Sequence, residues 1–206
     1  MDYFKLKAEW ASCKKCSLCK SRKQIVFSVG PENARLMIVA ESPGATEDIT
    51  GVPLTGPTGL LLNKILASVD IKREDCYLAN AIRCCPAKGS KPNQKQIDTC
   101  SLILQEEIKH VKPKVILILG SISANSLLGV RDGIGSVVGK TIEKDGIKHV
   151  ICYHPAAILH TSTIDKDKCM MYKRVTYKAV KEVKKILDSL PREQEQSFAS
   201  FKLEGI

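Results

Sequence analysis

The 206-residue sequence predicts one α/β domain, three layers deep, with a mostly parallel central sheet between two layers of helices. Three observations carry this. Four short apolar, β-branched runs read as strands buried on both faces; segments with helical spacing of apolar residues separate them; and a Gly-, Pro- or polar-rich stretch follows each run.

In order, the strands are expected at 36–40, 76–82, 115–119 and 149–153. The acidic stretch after the first, 40–59, is expected as a mobile loop ending where Pro57 opens a helix over 58–69, with Leu60, Leu61, Ile65 and Leu66 on one side. A longer helix over 93–111 starts at the capping residue Asn93, and a short one covers 121–128. A last amphipathic helix over 168–190 stops before Pro191. The domain therefore spans 1–190, with a loose polar tail over 191–206. Open sheets of this kind bind ligands at the carboxyl ends of their strands. "ESPG", "NAIRCC", "GSIS" and "YHPAA" all begin where a strand stops, so they should meet along one edge.

Thirty-two Lys and Arg against 22 Asp and Glu give a formal charge of +10, which favours a polyanionic partner such as nucleic acid. No stretch is long and apolar enough to cross a membrane, and the first residues lack the apolar core of a secretion signal. A cytoplasmic monomer is expected. "GVRDGIGSVVGK" is Gly-rich but lacks G-K-[ST], which argues against a nucleotide-binding P-loop.

Nine cysteines are many for a reduced compartment, where spaced thiols more often signal metal or catalysis than disulfides. Cys13-Lys14-Lys15-Cys16 has the C-x2-C spacing that lets two thiolates reach one metal or cluster, and Cys19 extends it. Cys84 and Cys85 follow a strand, and Cys100 sits within a helix. Cys76 and Cys152, on strands, read as core residues. Spacing alone leaves zinc and iron–sulfur both open.

Three motifs in order resemble those of the family-4, iron–sulfur uracil-DNA glycosylases. "AESPGATEDITGVPLTGPTGLLL" at 40–62 looks like that family's first motif, G-E-A/G-P-G-x-x-E-D-x-x-G-x-P-F-V-G-x-A-G-x-L-L. Asn80 to Ala87, "NAIRCCPA", looks like N-x-x-K-C-R-P-P, and "HPAAIL" from His154 to Leu159 looks like H-P-S-x-x-L. The resemblance runs from about Cys13 to Leu159. It implies a uracil-DNA glycosylase-like fold and a DNA glycosylase that hydrolyses the N-glycosidic bond of a flipped-out pyrimidine, leaving an abasic site. It also implies a [4Fe–4S] cluster held by Cys13, Cys16, Cys84 and Cys100, with zinc as the alternative and Cys19 or Cys85 as exchangeable ligands.

Cleaving that bond builds positive charge on the deoxyribose and negative charge on the departing base. Glu41 and Glu47 are therefore the expected acids for water and cation, Glu41 being nearest the strand end, and His154 the donor to the base oxygen. Ser42 and Gly44 are expected to bring backbone N–H groups to the base, Asn80 to read its hydrogen-bonding edge, and Asp48 and Leu54 to complete the pocket. Ala156, Ile158 and Leu159 are expected against DNA, with Ile158 or Leu159 as the wedge that fills the gap left by the flipped base. Leu54 stands where the family has a stacking Phe, and Ser42 where it has Ala or Gly. Those departures raise the alternative of a glycosylase specific for hypermodified bases in phage DNA, and a reading from a different class is a non-catalytic iron–sulfur DNA-binding module.

Overall fold

The computed structural model describes residues 3–88 and 90–191. The expected tail therefore lies, beyond Pro191, outside the described residues. Among them are five strands, β1 (Leu36–Ala40), β2 (Cys76–Asn80), β3 (Val115–Leu119), β4 (Thr141–Lys144) and β5 (Ile147–Cys152). The helices are α1 (Tyr3–Trp10), α2 (Ala45–Thr50), α3 (Pro57–Ala67), α4 (Gln94–Val111), α5 (Ser121–Leu128), α6 (Pro155–Thr161) and α7 (Lys166–Ser189). The sheet order is β2-β1-β3-β5-β4, parallel except for β4.

Period-2 alternation sorts the strand side chains into two cores. Leu36, Ile38, Leu117, Leu119 and Val150 face one side, covered by Leu62 and Leu66 of α3 and by Val180, Val183 and Ile186 of α7. Met37, Val39, Ile116, Ile118 and Ile151 face the other, covered by Leu104 and Val111 of α4 and Leu127 of α5. Since both faces are covered, β1, β2 and β3 are buried throughout, as their uninterrupted apolar runs require. A third cluster joins Trp10 and Leu18 of the N-terminal segment to Ile97, Cys100 and Ile103 of α4.

The departures from expectation are local. Stretch 40–59 is not one loop: Glu47 folds back to accept the Gly44 N–H at 2.9 Å and starts α2. α7 begins earlier than expected because the Asp165 carboxylate caps the Lys168 N–H at 2.9 Å. α4 starts where Asn93 and Gln96 cap each other's backbone N–H reciprocally, as a capping box does. β4 escapes the search for apolar runs because it is mostly exposed. Its trace in the sequence is Asp145-Gly146, both at positive φ, the two-residue turn of a hairpin.

Candidate active site at the β1–β3 switch point

Between β1 and β3 the chain order reverses, so the loops leaving these strands diverge to opposite faces and open a crevice. Glu41 leaves β1, Asn80 ends β2, Gly120 leaves β3, and His154 follows β5 as the residue that caps α6. A cavity of about 230 Å3 lies there, lined by Glu41, Ser42, Pro43, Gly44, Glu47, Leu54, Thr58, Asn80, His154 and Ala156. It is smaller than the ~300–1,000 Å3 of sites for drug-sized ligands, the scale of a single nucleobase. Larger hollows of about 620 and 800 Å3 open beside the amino-terminal ends of the strands, the wrong edge for such a sheet.

Glu41 is anchored across the switch point. Its Oε1 accepts the Ile122 N–H at 3.0 Å and the Ser121 hydroxyl at 3.3 Å. Gly120, at φ +91°, makes room for this: a Cβ there would lie 2.4 Å from Glu41 Oε1. The His154 Nδ1 accepts the Ala156 N–H at 3.1 Å, which leaves the ring proton on Nε2 in the neutral tautomer. Burial pushes the His154 pKa below its ordinary value, against the upward pull of the Glu41 and Glu47 carboxylates, so the ring is neutral at pH 7. Asn80 is 2% exposed, and its Nδ2 has no hydrogen-bond partner among the described residues. A buried amide left unpaired costs ~1–3 kcal/mol unless a ligand supplies the acceptor.

Other expected site residues take different places. The Glu47 oxygens accept the N–H groups of Gly44, Thr55 and Gly56, so Glu47 lines the cavity as a brace for the loop, with its carboxylate already committed. The Gly44 N–H, expected to face a base, is bound to Glu47 instead. Asp48 lies outside the cavity lining and accepts the Lys23 N–H at 2.9 and 3.0 Å, tying α2 to the N-terminal segment. Ile158 is 2% exposed and packed inside the protein, which removes it as a wedge, whereas Leu159 is 38% exposed. Thr58 and Pro43 line the cavity without having been singled out in the sequence; both belong to the Gly- and Pro-rich stretch that pointed to the site.

Cys13, Cys16, Cys84 and Cys100 line one small hollow with Trp10, Lys15, Arg22, Ile25, Arg83 and Thr99. Arg22 donates to Cys84 Sγ at 3.2 Å and to the Cys13 carbonyl at 2.6 Å. Arg83, fully buried, is held by Glu107 and Ser28. Burial pushes the Cys84 thiol up to about 11, with the Arg22 hydrogen bond pulling it down. Cys19 and Cys85 are not part of this lining. Cys85 lies toward Asp48 and Glu47, whose charges add to burial in raising its pKa. Among the described residues no three His, Cys, Asp or Glu are grouped so as to hold a metal ion.

The family model of the Uracil DNA glycosylase superfamily matches residues 27–178, from the segment before β1 into α7. The chain belongs to that superfamily. It is 33% identical over 175 residues to the type-4 uracil-DNA glycosylase of Archaeoglobus fulgidus, covering 81% of this chain and 88% of the relative. The type-4 enzyme of Pyrobaculum aerophilum is 34% identical over 184 residues (84% and 94% covered) and that of Saccharolobus solfataricus 35% over 167 residues (77% of each). The match to this superfamily spans every strand and every residue of the cavity lining.

Within this uracil-DNA glycosylase-like site, Leu54 is the cavity's aliphatic wall. It is buried at φ +56°, a left-handed conformation costing roughly 1–2 kcal/mol in a residue with a side chain. Gly59 allows it: a Cβ there would meet the Leu54 carbonyl oxygen at 1.8 Å. A strained backbone held this firmly beside a cavity marks a position the fold over-determines. No helix among the described residues is long and apolar enough to cross a membrane.

Proposed function

We propose that this protein is a uracil-DNA glycosylase that hydrolyses the N-glycosidic bond of a uracil flipped out of DNA, leaving an abasic site. The observation that carries it is Asn80, whose buried Nδ2 has no partner among the described residues and which lines a nucleobase-sized cavity together with Glu41 and His154. A donor there asks for an acceptor on the base. Uracil presents the O4 carbonyl at that edge, whereas a cytosine-type base presents an amino group.

In this arrangement Asn80 holds the base and the neutral His154 donates Nε2–H to the pyrimidine oxygen on which negative charge develops. With Oε1 of Glu41 anchored, Oε2 is the oxygen available to orient a water and to stabilise the cationic sugar. Glu47 positions the loop, Leu54 packs on the base, and Leu159 fills the vacated stack.

What supports a [4Fe–4S] cluster over a single metal ion, for which no three ligands among the described residues are grouped, is that four thiols from three segments line one small hollow, with Arg22 and Arg83 pulling the Cys84 and Cys100 thiols down against burial. When bound, the cluster supplies a cross-link between the N-terminal segment and the sheet. Arg22 orients Cys84 and holds the turn that carries Cys13.

Incubation with single-stranded or duplex DNA carrying uracil, followed by alkaline cleavage of abasic sites, tests the reading. Strand cleavage at uracil is expected. Cleavage only with modified pyrimidines would move the assignment to the modified-base reading, and DNA binding without any product would move it to the binding module.

A further inference from the structure

Tyr153 sits one residue before His154, at the end of β5, and stacks on Tyr172 of α7 with ring centroids 4.0 Å apart and planes inclined by 35°. Lys168 Nζ lies 5.9 Å from the Tyr172 ring centroid, and the Tyr153 hydroxyl donates to Met171 Sδ at 3.8 Å. The first turns of α7 are pinned to α6, where the Cys169 thiol donates to the Ile158 carbonyl at 3.6 Å. Met171, which accepts from the Tyr153 hydroxyl, is 44% exposed, and Met170 of the same turn of α7 and Leu159 of α6 are 48% and 38% exposed. Further along, α7 buries Ala179, Val180, Val183 and Ile186 against the sheet and leaves Tyr177 46% exposed.

Exposed apolar area beside a site marks a partner surface. The cations Lys168, Lys173 and Arg174 stand on the same turns of α7 with the single acid Asp167, and the nearby Asp165 is engaged in capping Lys168. Aromatic rings interleaved with cations match a nucleic-acid strand with unstacked bases better than an acidic or apolar protein segment. Tyr153 is the chain neighbour of His154, which lines the cavity, so the pair lies on the element that carries the site.

We propose that the Tyr153–Tyr172 pair, with Met171 and Lys168, is a stacking platform for the bases flanking the flipped nucleotide, and that it gives this protein a preference for single-stranded DNA. The proposal rests on the DNA-glycosylase reading above for its partner. Duplex DNA keeps its flanking bases stacked on each other and gains less from the platform.

The test is fluorescence anisotropy with a uracil-free oligothymidine, alongside steady-state excision on single-stranded and duplex uracil substrates. Tyr172→Leu, which keeps apolar bulk without a ring, is expected to weaken oligothymidine binding about tenfold and to raise KM on single strands with kcat little changed. Tyr172→Phe is expected to bind like the parent. Equal binding by Tyr172→Leu and parent, or equal losses in the Leu and Phe variants, overturns the platform. Should Tyr172→Leu misfold, the surface change Met171→Ser serves, with weaker single-strand binding expected and unchanged binding overturning the proposal. A parent that excises uracil but is indifferent to these changes refutes the platform alone. A parent that binds oligothymidine but releases no uracil refutes the earlier reading, and the binding comparison still decides the platform.

Discussion

Glu41 and His154 face one another across Gly120: a Cβ on that glycine would come within 2.4 Å of Glu41 Oε1 and 3.0 Å of His154 Cβ. The two residues belong to loops that are 113 positions apart in the chain, after β1 and β5, yet they line one cavity. A carboxylate and a neutral imidazole on either side of one nucleotide can stabilise the opposite charges that glycosidic cleavage creates.

Gly120→Ala is therefore expected to fold but to displace the Glu41 carboxylate. Misplacement of a reacting group by about 1 Å costs on the order of 100-fold in rate. Single-turnover excision from a uracil oligonucleotide would show it, with circular dichroism confirming the fold.

Glu41→Gln and His154→Ala each remove one of the two charge-stabilising groups, and excision should fall by about 10²–10⁴-fold in either variant. Alkaline cleavage of abasic sites measures it. An unchanged rate in both would remove the pair from the chemistry.

The pH dependence follows from burial of His154. Its pKa in the folded protein lies below the ordinary value, so the neutral donor persists below about pH 6.5 and the acid limb of kcat/KM should fall beneath that point. Stability has the same sign. The unfolded chain takes up the proton first as pH drops through about 6.5, so the folded state loses stability there. Urea unfolding of parent and His154→Gln at pH 7.5 and 5.5 should show that loss reduced in the variant.

Asn80→Leu should separate stability from activity. Replacing a buried amide that has an unpaired Nδ2 with an apolar group of similar size removes a penalty of about 1–3 kcal/mol, so the variant should unfold at higher denaturant while losing uracil excision.

The cysteine hollow predicts which thiols matter. On the proposed cluster assignment, Cys100→Ala should abolish the brown absorbance and iron content of the purified protein and lower its Tm, whereas Cys85→Ala, outside the lining, should keep all three. Asp48→Ala should retain iron but destabilise by about 1–3 kcal/mol, since it strips the acceptor from the N–H of Lys23.

Much of the architecture was legible in the residues. Strands at 36–40 and 115–119, and the helix over 121–128, fall where the runs and caps indicated, because a strand covered on both faces must be apolar at every position. The convergence of "ESPG", "NAIRCC", "GSIS" and "YHPAA" on one edge followed from parallel topology alone. β4 and α6 were hidden because an exposed edge strand and a seven-residue helix carry too little periodicity.

The sequence by itself determined the fold class, the edge that holds the site, and the family resemblance, since all three depend on local period and motif order. Only the tertiary structure decided among residues that are chemically alike and adjacent in the chain. Glu41, Glu47 and Asp48 differ by whether Ile122, Thr55 or Lys23 supplies the opposing N–H. Cys84 and Cys85 turn to different neighbours, and α6 buries Ile158 while exposing Leu159. In each case a donor or a packing surface from a distant segment sets the role, and no local pattern records it.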